Sequence, residues 1–214
     1  MIKILILSLI LLSACSFKTP PNQWQYKSAT AFNSYTQNFL SMEDVLAKDD
    51  LHRAIKHAKK SADLTQLAKI YLGECALNIS VGVDNTCPSY ENISNLLESS
   101  RLNAYYSLIT KNITADQTQY LPQQYKEFAL QMLNAESQKN YEYILRIKQS
   151  TSALLCGALI KEKLSPAFIE KMIQLASYNG YKKAVLFWLN EKLKQTHNEE
   201  EIQKIKKRIA VLIT

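Results

Sequence analysis

The sequence predicts an all-α fold, either an α-solenoid or an irregular array of helical hairpins, with about eight to ten helices. Apolar residues recur three and four positions apart along most of the chain, which is the spacing of one helix face. The 214 residues include only four glycines and five prolines. Because all-β folds need many turns rich in glycine and proline, this composition argues against them.

The chain begins with a short leader that is typical of secretion. Lys3 supplies a positive charge, and residues 4–12 form an apolar run. That run is about half the ~20 residues that a helix needs to cross a bilayer. A basic start, a short apolar middle and small residues after it indicate a signal peptide rather than a membrane anchor. We assign this signal peptide to residues 1–14.

The tetrapeptide Leu12-Ser13-Ala14-Cys15 directly follows the apolar run. It resembles the lipobox of bacterial lipoproteins, in which the cysteine carries a diacylglycerol and becomes the first mature residue. The resemblance implies lipid attachment at Cys15 and stable anchoring, since two or three acyl chains hold far more firmly than one. In that family an aspartate after the cysteine favours the inner membrane, so Ser16 implies the outer membrane, facing the periplasm. The alternative is an ordinary signal peptide cut near Ala14.

The mature chain is predicted to consist of a tether and one domain. Residues 15–27 contain Pro20-Pro21 and show no periodic apolar face, which is typical of a lipidated tether. An all-helical domain is predicted over residues 28–214.

Local start and stop signals place the first helices of this domain. The first helix is predicted from Ser28, and Asp49-Asp50 is predicted to cap the second. A third helix, started by Asp63, is expected to end in a turn at residues 81–85.

The later helices are predicted in the same way. Cys87-Pro88 is expected to open a fourth helix that runs on to Leu108. Residues 178–181 predict a tight turn, because they combine asparagine and glycine. Asn198, with Glu201 three residues later, is a variant of the capping box. Further helix starts are predicted at Leu121-Pro122 and Ser165-Pro166.

Two segments suggest a helical repeat. Residues 50–62, continued by Leu72-Gly73, and residues 180–189 resemble Sel1-like repeats, which are relatives of the tetratricopeptide repeat. The resemblance implies stacked helical hairpins. It is degenerate, because the spacing from Gly73 to the Gly82 turn is too long and an expected tyrosine is absent. Small residues such as Ala54 and Ala184 would let helices approach closely, which any helical bundle also needs.

Three cysteines remain after Cys15. Cys75 lies near the end of one predicted helix and Cys87 just before the next, so a disulfide between them would close a short loop. An oxidising compartment such as the periplasm would permit it. The alternative is that these residues, like Cys156 in its apolar run, are small buried side chains.

Motifs for catalysis and cofactor binding are absent from the sequence. The four scattered glycines match neither a phosphate-binding loop nor a dinucleotide fingerprint. His52 and His57 are five positions apart, about 140° around a helix, so they cannot share a metal face. We therefore expect no catalytic residue, no metal and no cofactor. Spacing alone does not exclude the paired carboxylates of a cell-wall hydrolase.

The charge of the chain limits its partners. The net charge is +7, and loss of Lys3 with the signal peptide lowers it by one. Anionic lipid head groups, acidic cell-wall polymers or an acidic protein surface would complement it, whereas nucleic acid is not expected outside the cytoplasm. The alternative is a basic surface that serves only solubility. Candidate partner contacts are Tyr178, Tyr181 and Trp188 beside the predicted turn, and the basic residues Lys204, Lys206, Lys207 and Arg208.

These observations favour a lipid-anchored periplasmic scaffold that is not an enzyme and that binds another envelope protein. The alternative function is the binding or hydrolysis of cell-wall peptidoglycan. A role in membrane integrity alone gives the same sequence pattern as the scaffold.

Overall fold

The computed structural model describes residues 22–83, 86–134 and 141–214, and all regular structure within these ranges is helical. The predicted all-α class is therefore confirmed. Ten α-helices are present in the described ranges: α1 Gln23–Ser41, α2 Asp44–Ala58, α3 Thr65–Ser80, α4 Pro88–Ser94, α5 Ser100–Ile109, α6 Gln123–Leu133, α7 Ser150–Leu159, α8 Pro166–Tyr178, α9 Lys182–Gln195 and α10 Glu199–Ile213. Short 3-10 helices occur at Asp116–Tyr120, Glu142–Arg146 and Lys161–Lys163.

The predicted signal peptide and Cys15 lie outside the described residues. The predicted tether reaches Lys27, but α1 already begins at Gln23. The tether boundary was therefore placed about one helical turn too late. The first turns of α1 carry few buried side chains, and Tyr26 is 72% exposed. The sequence therefore shows no apolar stripe at the start of this helix.

The helices form an irregular array. α1 packs along α2, α8 packs along α9, and α3 packs against α7, while α1 also touches α9. In a regular solenoid each repeat contacts only its neighbours, so the pairing of α1 with α9 departs from that pattern. The ammonium of Lys183 on α9 lies 2.6 Å from a carboxylate oxygen of Asp44 and 4.1 Å from the centre of the Phe39 ring. These contacts join the first hairpin to the last.

Helix α7 is the centre of the core. All its residues from Ser152 to Leu159 are buried, so α7 is surrounded by protein on every side. Gly157 permits close packing here, because a Cβ at this position would lie 3.1 Å from the Trp188 ring and 2.7 Å from the Met172 methyl. The thiol of Cys156 is buried, and burial raises its pKa, which keeps it as an unreactive thiol.

Two of the predicted helix starts are confirmed by side-chain caps. The Ser165 hydroxyl accepts a hydrogen bond from the backbone N–H of Phe168, and the Asn198 side chain accepts one from the N–H of Glu201. These caps are local interactions, which explains why sequence alone predicts them.

Two other predictions of helix boundaries are wrong. Asp50 lies inside α2, not at its start, and its buried carboxylate binds the side chains of Asn38 and Arg53. The predicted fourth helix is two helices, α4 and α5, because Ser99 caps a new helix by accepting a hydrogen bond from the N–H of Leu102.

A disulfide joins Cys75 near the end of α3 to Cys87 just before α4. This is the pairing that the spacing favours. The bond closes a loop across a sequence separation of 12 residues. In the chain-entropy account, such a loop contributes about 2–3 kcal/mol by restricting the unfolded chain.

Candidate functional site

The predicted contact region lies on the last three helices. The backbone N–H of Tyr181 donates to the carbonyl of Ala176, and Gly180 adopts a φ of +69° that glycine tolerates best. This tight turn, which the sequence predicts at residues 178–181, reverses the chain between α8 and α9. Helix α10 then packs against α9.

A cleft of about 580 Å³ opens between this turn and α10. Its apolar surface comes from Val185 on α9 and from Val211 and Leu212 on α10, and Val211 is 75% exposed. Ser177 and Gly180 complete the wall at the turn. We call this the basic cleft, because every charged residue that lines it is a cation.

Lys182, Lys207 and Arg208 are those cations. Within the described ranges none of the three forms an ion pair. Lys207, Arg208 and Val211 follow the i, i+1, i+4 pattern that keeps them on one side of α10. An exposed apolar surface beside three unpaired cations suits a ligand that carries both apolar and acidic groups.

The other predicted basic residues do not line the cleft. Lys204 is exposed and its ammonium lies 2.5 Å from a carboxylate oxygen of Glu200. Lys206 is exposed on another side of α10, because it lies two positions before Arg208 and two positions correspond to about 200° around the helix axis. The predicted basic face therefore separates into a cleft pair, Lys207 and Arg208, and two residues outside it.

The predicted aromatic contacts divide in the same way. Tyr178 is 92% exposed beside the cleft, as a contact residue would be. Trp188 is 0% exposed and packs against Phe187 and Gly157, so its assignment as a partner contact was wrong. Tyr181 is 8% exposed and does not line the basic cleft either, so that assignment was also wrong. Trp188 faces inward because α9 packs along α8 and the indole ring lies against Gly157 of α7. Tyr181 precedes α9 and is buried at the turn.

A second, larger cavity was not predicted. It measures about 800 Å³ and lies between α1, α3 and the start of α7. Charged residues make up 21% of the chain, yet none of the 18 residues lining this cavity is charged. Ten of the 18 carry an amide or an aliphatic hydroxyl: Thr30, Asn33, Ser34, Thr36, Gln37, Asn38, Gln149, Ser150, Thr151 and Ser152. We call it the neutral groove.

The exposed and buried residues of the neutral groove differ in chemistry. Asn33, Gln37 and Gln149 are exposed and form its rim, whereas Ala76 and Leu77 are buried and form an apolar base. Three tyrosines also line the groove, Tyr105, Tyr125 and Tyr181.

Hydrogen bonds within the groove fix part of the polar lining. The hydroxyls of Tyr125 and Ser152 lie 2.7 Å apart, and the Ser152 hydroxyl also donates to the Gln149 side chain at 3.2 Å. Burial raises the pKa of Tyr105 well above its ordinary value and also raises that of Tyr125. Both phenols therefore stay protonated and uncharged, and the groove remains neutral.

Comparison of the chain with protein-family models, with curated proteins and with solved structures gives no match. Within the described ranges, no cluster of three histidine, cysteine, aspartate or glutamate residues is arranged to hold a metal ion. None of the helices in the same ranges combines the length and apolarity needed to cross a bilayer.

Proposed function

We propose that this chain is a lipid-anchored envelope protein that serves as a non-catalytic scaffold, with Cys15 as the anchor and the basic cleft as the binding site for a partner protein. The observation that carries the second half of the proposal is the group of three unpaired cations around an exposed apolar surface. The partner contributes an acidic segment with an apolar side chain.

The place of action is inferred from two features. Leu12-Ser13-Ala14-Cys15 follows a short apolar run, and the sequence resembles a lipobox there. The Cys75–Cys87 disulfide supports an oxidising compartment, because cytosolic reductants keep most thiols reduced. We propose the outer membrane, facing the periplasm, since Ser16 rather than an aspartate follows Cys15.

The exposed apolar surface and the cations would make different contributions to binding. Val211 and Leu212 would supply the contact area, which favours binding in proportion to the area removed from water. Lys182, Lys207 and Arg208 would select an acidic partner and accelerate its approach. The exposed ring of Tyr178 would extend the contact at the rim of the cleft.

The anchor is tested by fractionation of cells. We expect the full-length chain to stay with membranes after a wash in high salt and to be released by detergent, because acyl chains, unlike surface charges, are not displaced by salt. A Cys15→Ser variant should lose this behaviour. Salt release of the unaltered chain, or membrane retention of the variant, would contradict the anchor.

The cleft is tested by charge reversal in the full-length protein, purified from envelopes in detergent. Lys207→Glu with Arg208→Glu should lose a partner protein that the unaltered chain retains in constant proportion. Lys59→Glu with Lys60→Glu is the matched control, because it makes the same charge change at two exposed positions that do not line the cleft. Loss in both variants, or in neither, would contradict the cleft as the binding site. If the Lys207→Glu/Arg208→Glu variant keeps the partner protein and loses only its binding to anionic vesicles, the cleft is a lipid-binding site instead.

A further inference from the structure

We propose that the neutral groove binds an uncharged oligosaccharide. The groove shares no lining residue with the basic cleft, and the proposal does not depend on the scaffold function. Its volume of about 800 Å³ lies within the usual range of about 300–1,000 Å³ for small-ligand sites.

The lining of the groove carries no charge. The chain has 26 lysine and arginine residues and 19 aspartate and glutamate residues, but the groove has neither a cation nor a carboxylate among its lining residues. An ionic ligand would be left without a counter-charge in such a site, which is costly once water is displaced. The groove therefore favours a neutral ligand over a nucleotide, an acidic peptide or a lipid head group.

The polar groups on the rim are of the kinds that bind sugar hydroxyls. Thr30, Asn33 and Gln37 lie three and four positions apart, which aligns them on the groove side of α1. Each carboxamide carries both a donor and an acceptor in one plane, and each sugar hydroxyl can likewise donate and accept. Within the described part of the chain, the side chains of Asn33, Gln37 and Thr151 form no hydrogen bond, so they are available to a ligand.

An apolar base lies beneath this polar rim. Ala76 and Leu77 of α3 and Leu155 of α7 are buried at the base. Gly73 also lines it, where a Cβ would lie 2.4 Å from the Phe32 ring. A sugar ring presents C–H groups on its faces and hydroxyls at its edge, so it can cover an apolar base while its edge reaches the amides.

An extended peptide matches the groove less well. Known modes of peptide recognition use a free sheet edge, an apolar groove for an amphipathic helix, an aromatic groove for polyproline, or a cluster of charges. The described residues contain no strand, and the groove contains no charge. Two of its three tyrosines, Tyr125 and Tyr181, are buried, which leaves little aromatic surface for proline.

Calorimetric titration of the full-length chain in detergent tests the proposal. The probes are tri-N-acetylchitotriose, cellotriose and a neutral alanine-glycine hexapeptide. We expect saturable binding of at least one oligosaccharide and none of the peptide. Preference for tri-N-acetylchitotriose would identify an N-acetylated glycan as the source, and preference for cellotriose an unsubstituted one. Failure of both sugars to bind would overturn the proposal, and binding of the peptide alone would make the groove a peptide site.

Variants locate the binding. Asn33→Ala with Gln37→Ala should weaken oligosaccharide binding at least tenfold, because two exposed amides on the rim are removed. Gln23→Ala with Gln25→Ala is the control, since it removes two exposed amides from the same helix outside the groove. Asn33→Asp with Gln37→Glu keeps the side-chain shape and should also weaken binding. Unchanged affinity in both groove variants would overturn the proposal.

Discussion

The basic cleft and the neutral groove differ in how they are built and in the ligand chemistry that their linings favour. The basic cleft is formed by three consecutive helices at the C-terminal end and has only cations among its charged lining residues. The neutral groove draws on residues from Thr30 to Tyr181 and has no charge at all. A local cleft with charge suits selection by electrostatics, whereas an uncharged groove must select by hydrogen-bond geometry and shape. The two linings share no residue, so we expect the two proposed ligands not to compete.

The largest expected effect is on stability, and it compares Trp188, a buried core residue, with Tyr178, an exposed candidate contact residue. Trp188→Ala should lower the free energy of unfolding by about 3–5 kcal/mol, because a fully buried indole leaves a cavity. Tyr178→Ala should leave the denaturation midpoint unchanged, since that ring is 92% exposed. Urea denaturation of both variants gives the comparison. Equal stability of the two variants would show that Trp188 lies on the surface.

The disulfide should affect the neutral groove more than the basic cleft. Replacing Cys75 and Cys87 together by alanine should lower the free energy of unfolding by about 2–3 kcal/mol, because the unfolded chain regains freedom. Hydrogen exchange should increase mainly in α3 to α5, which include part of the groove base. A reducing agent should add nothing in this variant. Faster exchange confined to α8 to α10 would contradict the expectation.

Gly180 forms part of the turn that lines the basic cleft. Its φ of +69° is costly for alanine, so Gly180→Ala should lower stability by about 1–2 kcal/mol and weaken partner binding. Gly180→Asn is the matched variant, since asparagine tolerates this conformation better. Thermal denaturation measures the difference. A Gly180→Ala protein as stable as the original chain would contradict this structure of the turn.

Salt should distinguish the two cavities. Raising sodium chloride from about 0.05 M to about 0.5 M should weaken binding at the basic cleft several-fold, because screening reduces the attraction of exposed charges. Oligosaccharide binding at the neutral groove should not change. The measurement is the dissociation constant of each ligand at both salt concentrations, and equal salt sensitivity would remove the distinction.

The smallest expected effect is that of pH on the neutral groove. Burial raises the pKa of Tyr105 and Tyr125, so the neutral phenol is retained as pH rises, and the lining contains no acidic or basic side chain other than its three tyrosines. Oligosaccharide affinity should therefore stay constant from about pH 5 to about pH 9. A titration that reveals a lining group ionising in this window would contradict the neutrality of the groove.

Local features of the fold follow from the sequence, and non-local ones do not. The helical class, the caps at Ser165 and Asn198 and the turn at Gly180 depend on neighbouring residues, so pattern and composition predict them. Trp188 was misplaced because a helix next to a turn can present its aromatic residues to either side. Packing against distant Gly157 decides which side is buried. Asp50 was misplaced because Asn38, which binds its carboxylate, lies 12 positions earlier in the chain and on another helix.

Part of the basic cleft could be predicted from the sequence, whereas the neutral groove could not. Lys207 and Arg208 adjoin one another in the sequence, so a basic face is visible before the structure is known. The i, i+3 and i+4 spacing could also have placed Val211 beside them. The neutral groove has no such signal, because its ten amide and hydroxyl residues are ordinary polar ones in two segments far apart in the sequence, on α1 and around the start of α7. Only the packing of α1 near the start of α7 brings Asn33 and Gln149 to one cavity.

The most direct measurement compares both ligands on one set of preparations: the unaltered chain, the Lys207→Glu/Arg208→Glu variant and the Asn33→Ala/Gln37→Ala variant. Partner recovery from envelopes and the dissociation constant for tri-N-acetylchitotriose are determined for each. The expected result is that the first variant loses only the partner and the second only the sugar. Loss of both ligands in either variant, or retention of both in each, would contradict two independent sites.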